Sequence, residues 1–158
     1  MRRPTMWLAT LLLGLMTAAC GGSDDGDSDP TGDFAVIVGC SQLLVPQGDL
    51  FECPITVSYT GGENESATLN SFELLRGNDE VMTDFNYGQG ISMYTDPIPD
   101  NLEGSVVGPG SPLSADLRLF AETETPLGQY PAGIRVTYTL GGSTRTETVN
   151  FTFSVVAN

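Results

Sequence analysis

The sequence predicts an all-β fold, an antiparallel β-sandwich of seven or more strands. Two observations carry it. From Phe34 onward apolar residues alternate with polar ones, which sets one face of a strand on a core and the other in water. Glycine pairs and Pro-rich turns punctuate these runs, and no segment of useful length repeats at helical spacing. Many short strands separated by turn signals are the pattern of two packed antiparallel sheets.

Taken in order, Ile55, Val57 and Tyr59 alternate with Thr56 and Ser58, and Gly61-Gly62 follows. Residues 67–75 form a less regular strand with Phe72 and Leu74 inward. Leu113, Ala115, Leu117 and Leu119 alternate with Ser114, Asp116 and Arg118. Ile134, Val136, Tyr138 and Leu140 alternate with Arg135, Thr137 and Thr139. Val149, Phe151, Phe153 and Val155 complete the series. Gly141-Gly142 lies between the last two runs and reads as a hairpin turn. Tyr59 and Tyr138 fall on inward positions.

Between residues 77 and 112 the alternation fades. Gly77, Gly88, Gly90, Gly104, Gly108 and Gly110 mix with Pro97, Pro99, Pro109 and Pro112. Long loops are expected here around edge strands at residues 81–87 and 91–95. A structureless insertion of this length is uncommon unless functional or disordered, so a binding site is looked for here first.

Thr125-Pro126-Leu127-Gly128-Gln129-Tyr130 leads into the strand from Ile134. This Pro-x-Gly-x-Tyr run resembles bacterial immunoglobulin-like and fibronectin-like domains, over residues 114–158. The resemblance implies an immunoglobulin-like sandwich in which Tyr130 opens the penultimate strand and packs at the corner. Pro131-Ala132-Gly133 departs from the pattern and predicts a bulge or a different corner.

The first twenty residues read as an address. Arg2 and Arg3 give a positive start, and residues 6–16 form an apolar run broken only by Thr10 and Gly14. That run fits a secretory signal and is too short to span a bilayer. Thr17, Ala18 and Ala19 then lead into Cys20. The whole resembles a bacterial lipoprotein signal, with Thr17 where the family usually has an aliphatic residue. The resemblance implies removal of residues 1–19, lipidation of Cys20 and anchoring in a membrane. Gly21, where an Asp would favour the inner membrane, implies the outer membrane in a two-membrane cell. The alternative is an ordinary cleaved signal that leaves Cys20 unmodified.

Residues 20–33 are Gly, Ser and Asp with almost nothing apolar, and read as a flexible acidic tether. Asp25, Asp27 and Asp29 have the spacing that starts a calcium loop. Pro30 and Val36 stand where that loop needs Gly and Glu, so a linker is the simpler reading. Residues 34–158 would then be the sandwich domain. With Cys20 lipidated, Cys40 and Cys53 remain, and in an exported chain they are expected to pair as a disulfide. Two thiolates with no His beside them make a poor metal site.

Composition narrows the chemistry. The 158 residues hold six Arg, no Lys and no His against twenty Asp and Glu, for a net charge of −14. Losing residues 1–19 removes two Arg and no acid, which takes it to −16. Without His there is no Ser-His-Asp triad or Cys-His pair, and without Lys no Schiff base. An acidic surface repels nucleic acid, and no cofactor is implied. The carboxylates are plentiful, but clustering by chance on a solvated face accounts for them more simply than a hydrolase does.

Two binding sites are weighed within residues 77–112. Asp96, Asp100 and Glu103 offer hard oxygen ligands for calcium. Tyr87 and Tyr94 are the pair placed to form a sugar-stacking platform, since Trp7, the only tryptophan, leaves with the signal. The expected function is that of a non-catalytic interaction or structural module of the cell envelope. It would be held at a membrane by its lipid and would meet an envelope protein partner through loops or an edge strand. A glycan- or calcium-binding module is the alternative.

Overall fold

The computed structural model describes residues 32–77 and 79–158. Phe34–Val38 (β1), Leu50–Tyr59 (β3), Leu113–Ala121 (β9), Ile91–Asp96 (β7) and Asn86–Gly88 (β6) lie side by side in that order as one sheet. Leu44–Pro46 (β2), Ser143–Val156 (β11), Gly128–Leu140 (β10), Ala67–Arg76 (β4) and Glu80–Val81 (β5) form the second, with Val106–Val107 (β8) also on β4. Pro99–Leu102 (α1) is a single helical turn. The two sheets close on each other as an antiparallel β-sandwich. The chain switches sheets between β1 and β2, and β2 runs parallel to the end of β11. With β1, β3, β9 and β7 in the first sheet facing β11, β10 and β4 in the second, the seven principal strands have the immunoglobulin-like arrangement. Among the described residues no helix is long and apolar enough to cross a membrane.

The alternation that defines the strands also builds the core. Ile55, Leu117, Leu119 and Met93 from the first sheet meet Leu69, Ile134, Val136 and Phe153 from the second, all essentially inaccessible to water. Burying each such side chain contributes about 1.5–3 kcal/mol. Tyr59 and Tyr138 are inward as expected. Phe151 and Val149 share the phase of Phe153 but are only half-buried, on a stretch of β11 that pairs with β10 alone, since β2 reaches only Ser154–Val156. Gly141 and Gly142 both have positive φ, 56° and 77°, and join β10 to β11 with Leu140 opposite Ser143. A two-residue hairpin turn with this backbone matches the twist of its strands.

The corner forms around Tyr130. Its hydroxyl donates to the Pro126 carbonyl at 2.6 Å, and its ring stacks on Phe153 with centroids 5.4 Å apart. Of the bulge or different corner expected at Pro131-Ala132-Gly133, the bulge is absent: β10 pairs with β11 in unbroken register from Gly128 to Leu140. Pairing with β4 starts only at Ala132, so the missing N–H of Pro131 interrupts nothing on that side. The irregularity falls instead at Thr137/Tyr138 against β4. Gly133 answers a close approach, since a Cβ there would lie 2.8 Å from Asn150 Oδ1.

Cys40 and Cys53 are joined as a disulfide, with Cα atoms 5.8 Å apart. It ties the chain just after β1 to β3. Between the two cysteines the chain visits the second sheet as β2 and returns.

Residues 77–112 hold more structure than loops around two strands. The edge strand at 91–95 is present as β7. That expected at 81–87 is divided: β5 belongs to the second sheet and β6 to the first. The chain crosses between them through Asp84 and Phe85, which have φ of 55° and 57°.

Candidate functional site

Strand β4 pairs along one edge with β10. Its other edge is paired only at the ends, Ala67 and Thr68 with β8, Leu75 and Arg76 with β5. Two further contacts narrow the gap. Leu69 exchanges backbone hydrogen bonds with Gly104 and Ser105 at 2.8 and 2.9 Å, and the Leu74 carbonyl accepts from the Met82 N–H at 2.8 Å. Among the described residues no strand pairs with residues 70–73 from this side.

A cleft of about 430 Å³ opens at that gap, floored by residues 71–74. Val81 and Phe85 line it from one side and Ile98, Asp100 and Glu103 from the side of α1. Leu102 anchors α1 by burying its side chain in the core. The apolar lining is partly wet: Val81, Phe85 and Ile98 are 41%, 40% and 40% exposed. A bulky residue at positive φ is uncommon. Phe85 is held there by the Met93 N–H, which donates to its carbonyl at 3.0 Å, and by edge-on contact with Tyr94 at 6.2 Å.

The cleft is electronegative. Asp84, Asp100 and Glu103 line it, and none has an ion-pair partner among the described residues. Glu73 is answered by Arg135 at 3.5 Å. Across β4 and β5, Arg76 donates to Glu80 from Nε and Nη2, and that hydrogen bonding holds the Glu80 carboxyl below the usual carboxylate range.

The residues singled out in the sequence are dispersed. Tyr87 is buried, donating its hydroxyl to the Pro131 carbonyl at 2.7 Å and packing edge-on against Tyr130 and Phe153. Burial pushes its phenol pKa up. It therefore presents no face to a sugar, and the Tyr87–Tyr94 platform is not formed. Tyr94 is half-buried on β7. Asp96 pairs with Arg118 at 3.1 Å, and Arg118 also meets Glu52 at 2.9 Å. Asp96 is thus drawn to the outer face of the first sheet, while Asp100 and Glu103 line the cleft. Among the described residues no group of three or more His, Cys, Asp or Glu side chains is placed to hold a metal ion, so the three proposed calcium ligands do not converge. Cys20 and the Asp25, Asp27 and Asp29 spacing lie outside the described residues.

No family model and no curated protein matches the chain. Solved structures give distant likenesses. Domains 4 and 5 of the S-layer protein SbsC are 12% identical with a TM-score of 0.45, over 82% of this chain and 54% of that one. A PapD-like domain of human CEP192 is 12% identical with a TM-score of 0.44, over 98% of both chains. A conjugative transposon lipoprotein from Bacteroides eggerthii is 16% identical with a TM-score of 0.40, over 80% of this chain and 98% of that one. This chain spans about half the length of the S-layer fragment and 27% of a Clostridium perfringens glycoside hydrolase that it also matches.

Val81, Phe85 and Ile98 were missed in the sequence. Their only local signal is exposed bulk in a Pro- and Gly-rich stretch that has lost alternation.

Proposed function

We propose that this chain is a non-catalytic lipoprotein of the cell envelope, an interaction module carried on a lipid anchor. In this reading residues 1–19 are removed, Cys20 bears the acyl chains, residues 20–33 give reach, and residues 34–158 are the presented domain. One observation carries it. The disulfide takes Cys40 and Cys53 and leaves Cys20, the residue that closes the signal-like segment, as the remaining cysteine of three. A disulfide fits an oxidising, exported location. Two or more acyl chains make anchoring stable where one does not. The absence of His and Lys supports a binding role over a catalytic one, and the cleft beside β4 is the face we assign to partners.

Fractionation of a bacterial host tests this. The wild-type chain should sediment with membranes and enter the detergent phase on extraction. Cys20→Ser should appear in the soluble fraction. Equal partition of the two would refute the anchor.

A further inference from the structure

We propose that the cleft beside β4 takes a short extended segment of a partner protein, added as a strand along residues 70–73 and carrying alternating apolar and basic side chains. The proposal rests on the reading of this chain as an interaction module, and it names the site and the chemistry of the partner.

Three observations carry it. First, the edge of β4 is bracketed by β8 and β5 but among the described residues has no strand between them. Backbone groups on an open strand edge template another strand. At about 3.3 Å per residue, residues 70–73 offer a gap for roughly four residues of peptide. Second, Val81, Phe85 and Ile98 stand partly exposed around that gap, where every second side chain of an added strand could cover them. Third, Asp84, Asp100 and Glu103 border the same cleft without a cationic partner among the described residues, so the other side chains of the segment should be basic.

The same charges argue against occupants from this chain. The stretch with Asp24, Asp25, Asp27 and Asp29 carries the sign of the cleft and would be repelled. A second copy offers little: of the Arg residues beyond Cys20, Arg76, Arg118 and Arg135 are already paired.

The test is fluorescence anisotropy of the detergent-solubilised mature chain with a labelled octapeptide of alternating Val and Arg. Saturable binding is expected. An octapeptide of alternating Val and Glu should not bind, nor should the Val-Arg peptide N-methylated at every backbone nitrogen. The N-methylated peptide keeps charge and apolar area but loses the ladder. Asp100→Asn with Glu103→Gln should weaken binding about tenfold. Glu122→Gln with Glu124→Gln, an equal charge change elsewhere, should leave it within about twofold. Equal binding of the N-methylated peptide, equal losses in the two double variants, or no binding at about 1 mM peptide would overturn the proposal. A concentration-dependent dimer abolished by Phe85→Ala, or tighter peptide binding after deletion of residues 21–31, would assign the cleft to this chain itself and equally overturn it. The anchor is judged separately: lipidated Cys20 without peptide binding defeats the cleft alone, and peptide binding with unmodified Cys20 defeats the anchor alone.

Discussion

The β10–β11 hairpin and residues 77–112 are built on opposite principles. The hairpin pairs thirteen successive residue pairs without a break, turns on two glycines and places Ile134, Val136, Tyr138 and Leu140 on the core. The other segment is cut into β5, β6, β7, α1 and β8, mostly of two to four residues, and crosses between sheets. It leaves Val81, Phe85, Ile98 and Val106 exposed. Strand β10 buries its alternating apolar residues and is paired along both edges over residues 132–139, by β11 and by β4. The broken segment leaves burial and pairing incomplete beside β4. The difference separates a region that stabilises the domain from the one to which we assign binding.

Paired substitutions sharpen that contrast most. Phe153→Ala should cost about 3–5 kcal/mol in urea denaturation, because it removes a fully buried ring from beneath Tyr87 and Tyr130. Phe85→Ala should stay within about 0.5–1 kcal/mol of wild type. Equal losses would make Phe85 a core residue and erase the distinction. Reduction of Cys40–Cys53 comes next. It should lower stability by about 3 kcal/mol in the chain-entropy model for a separation of 13 residues, without altering peptide binding at the cleft.

Smaller effects probe the joins between the regions. Thr95 lies on β7 with its hydroxyl fully buried and without a hydrogen-bond partner among the described residues. Thr95→Val should therefore stabilise by about 1 kcal/mol. A loss of that size would show that the hydroxyl has a partner. The mildest change is with pH. The Tyr59 hydroxyl donates to Glu65, and that bond, with burial, pushes its pKa up to about 12. A phenol held protonated in the folded state adds stability below its unfolded pKa near 10 and loses it as pH rises towards 12. The melting temperature should fall over that window, and Tyr59→Phe should flatten part of the fall. An identical slope in the variant would remove Tyr59 as its source.

Much of the framework was legible because period-two alternation is a local signal. Residues 134–140 announced a strand, Gly141-Gly142 its turn, and the Pro-x-Gly-x-Tyr run placed Tyr130 at its corner. The remainder was not local. Strands β5, β6 and β8 have two or three residues, too few for a period, and α1 is one turn. Tyr87 read as exposed because its surroundings are Gly-rich and polar, yet it is the inward member of β6 and closes the base of the core. The cleft depends on what lies beside β4 in space, and nothing in residues 70–73 shows that their outer edge is left open.

The most direct measurement is the mass of the N-terminal peptide of the mature chain purified from bacterial membranes. The account predicts that it begins at Cys20 and carries the added mass of a diacylglyceryl group with an amide-linked acyl chain. A mature chain with an unmodified Cys20, or one that begins elsewhere, would contradict it.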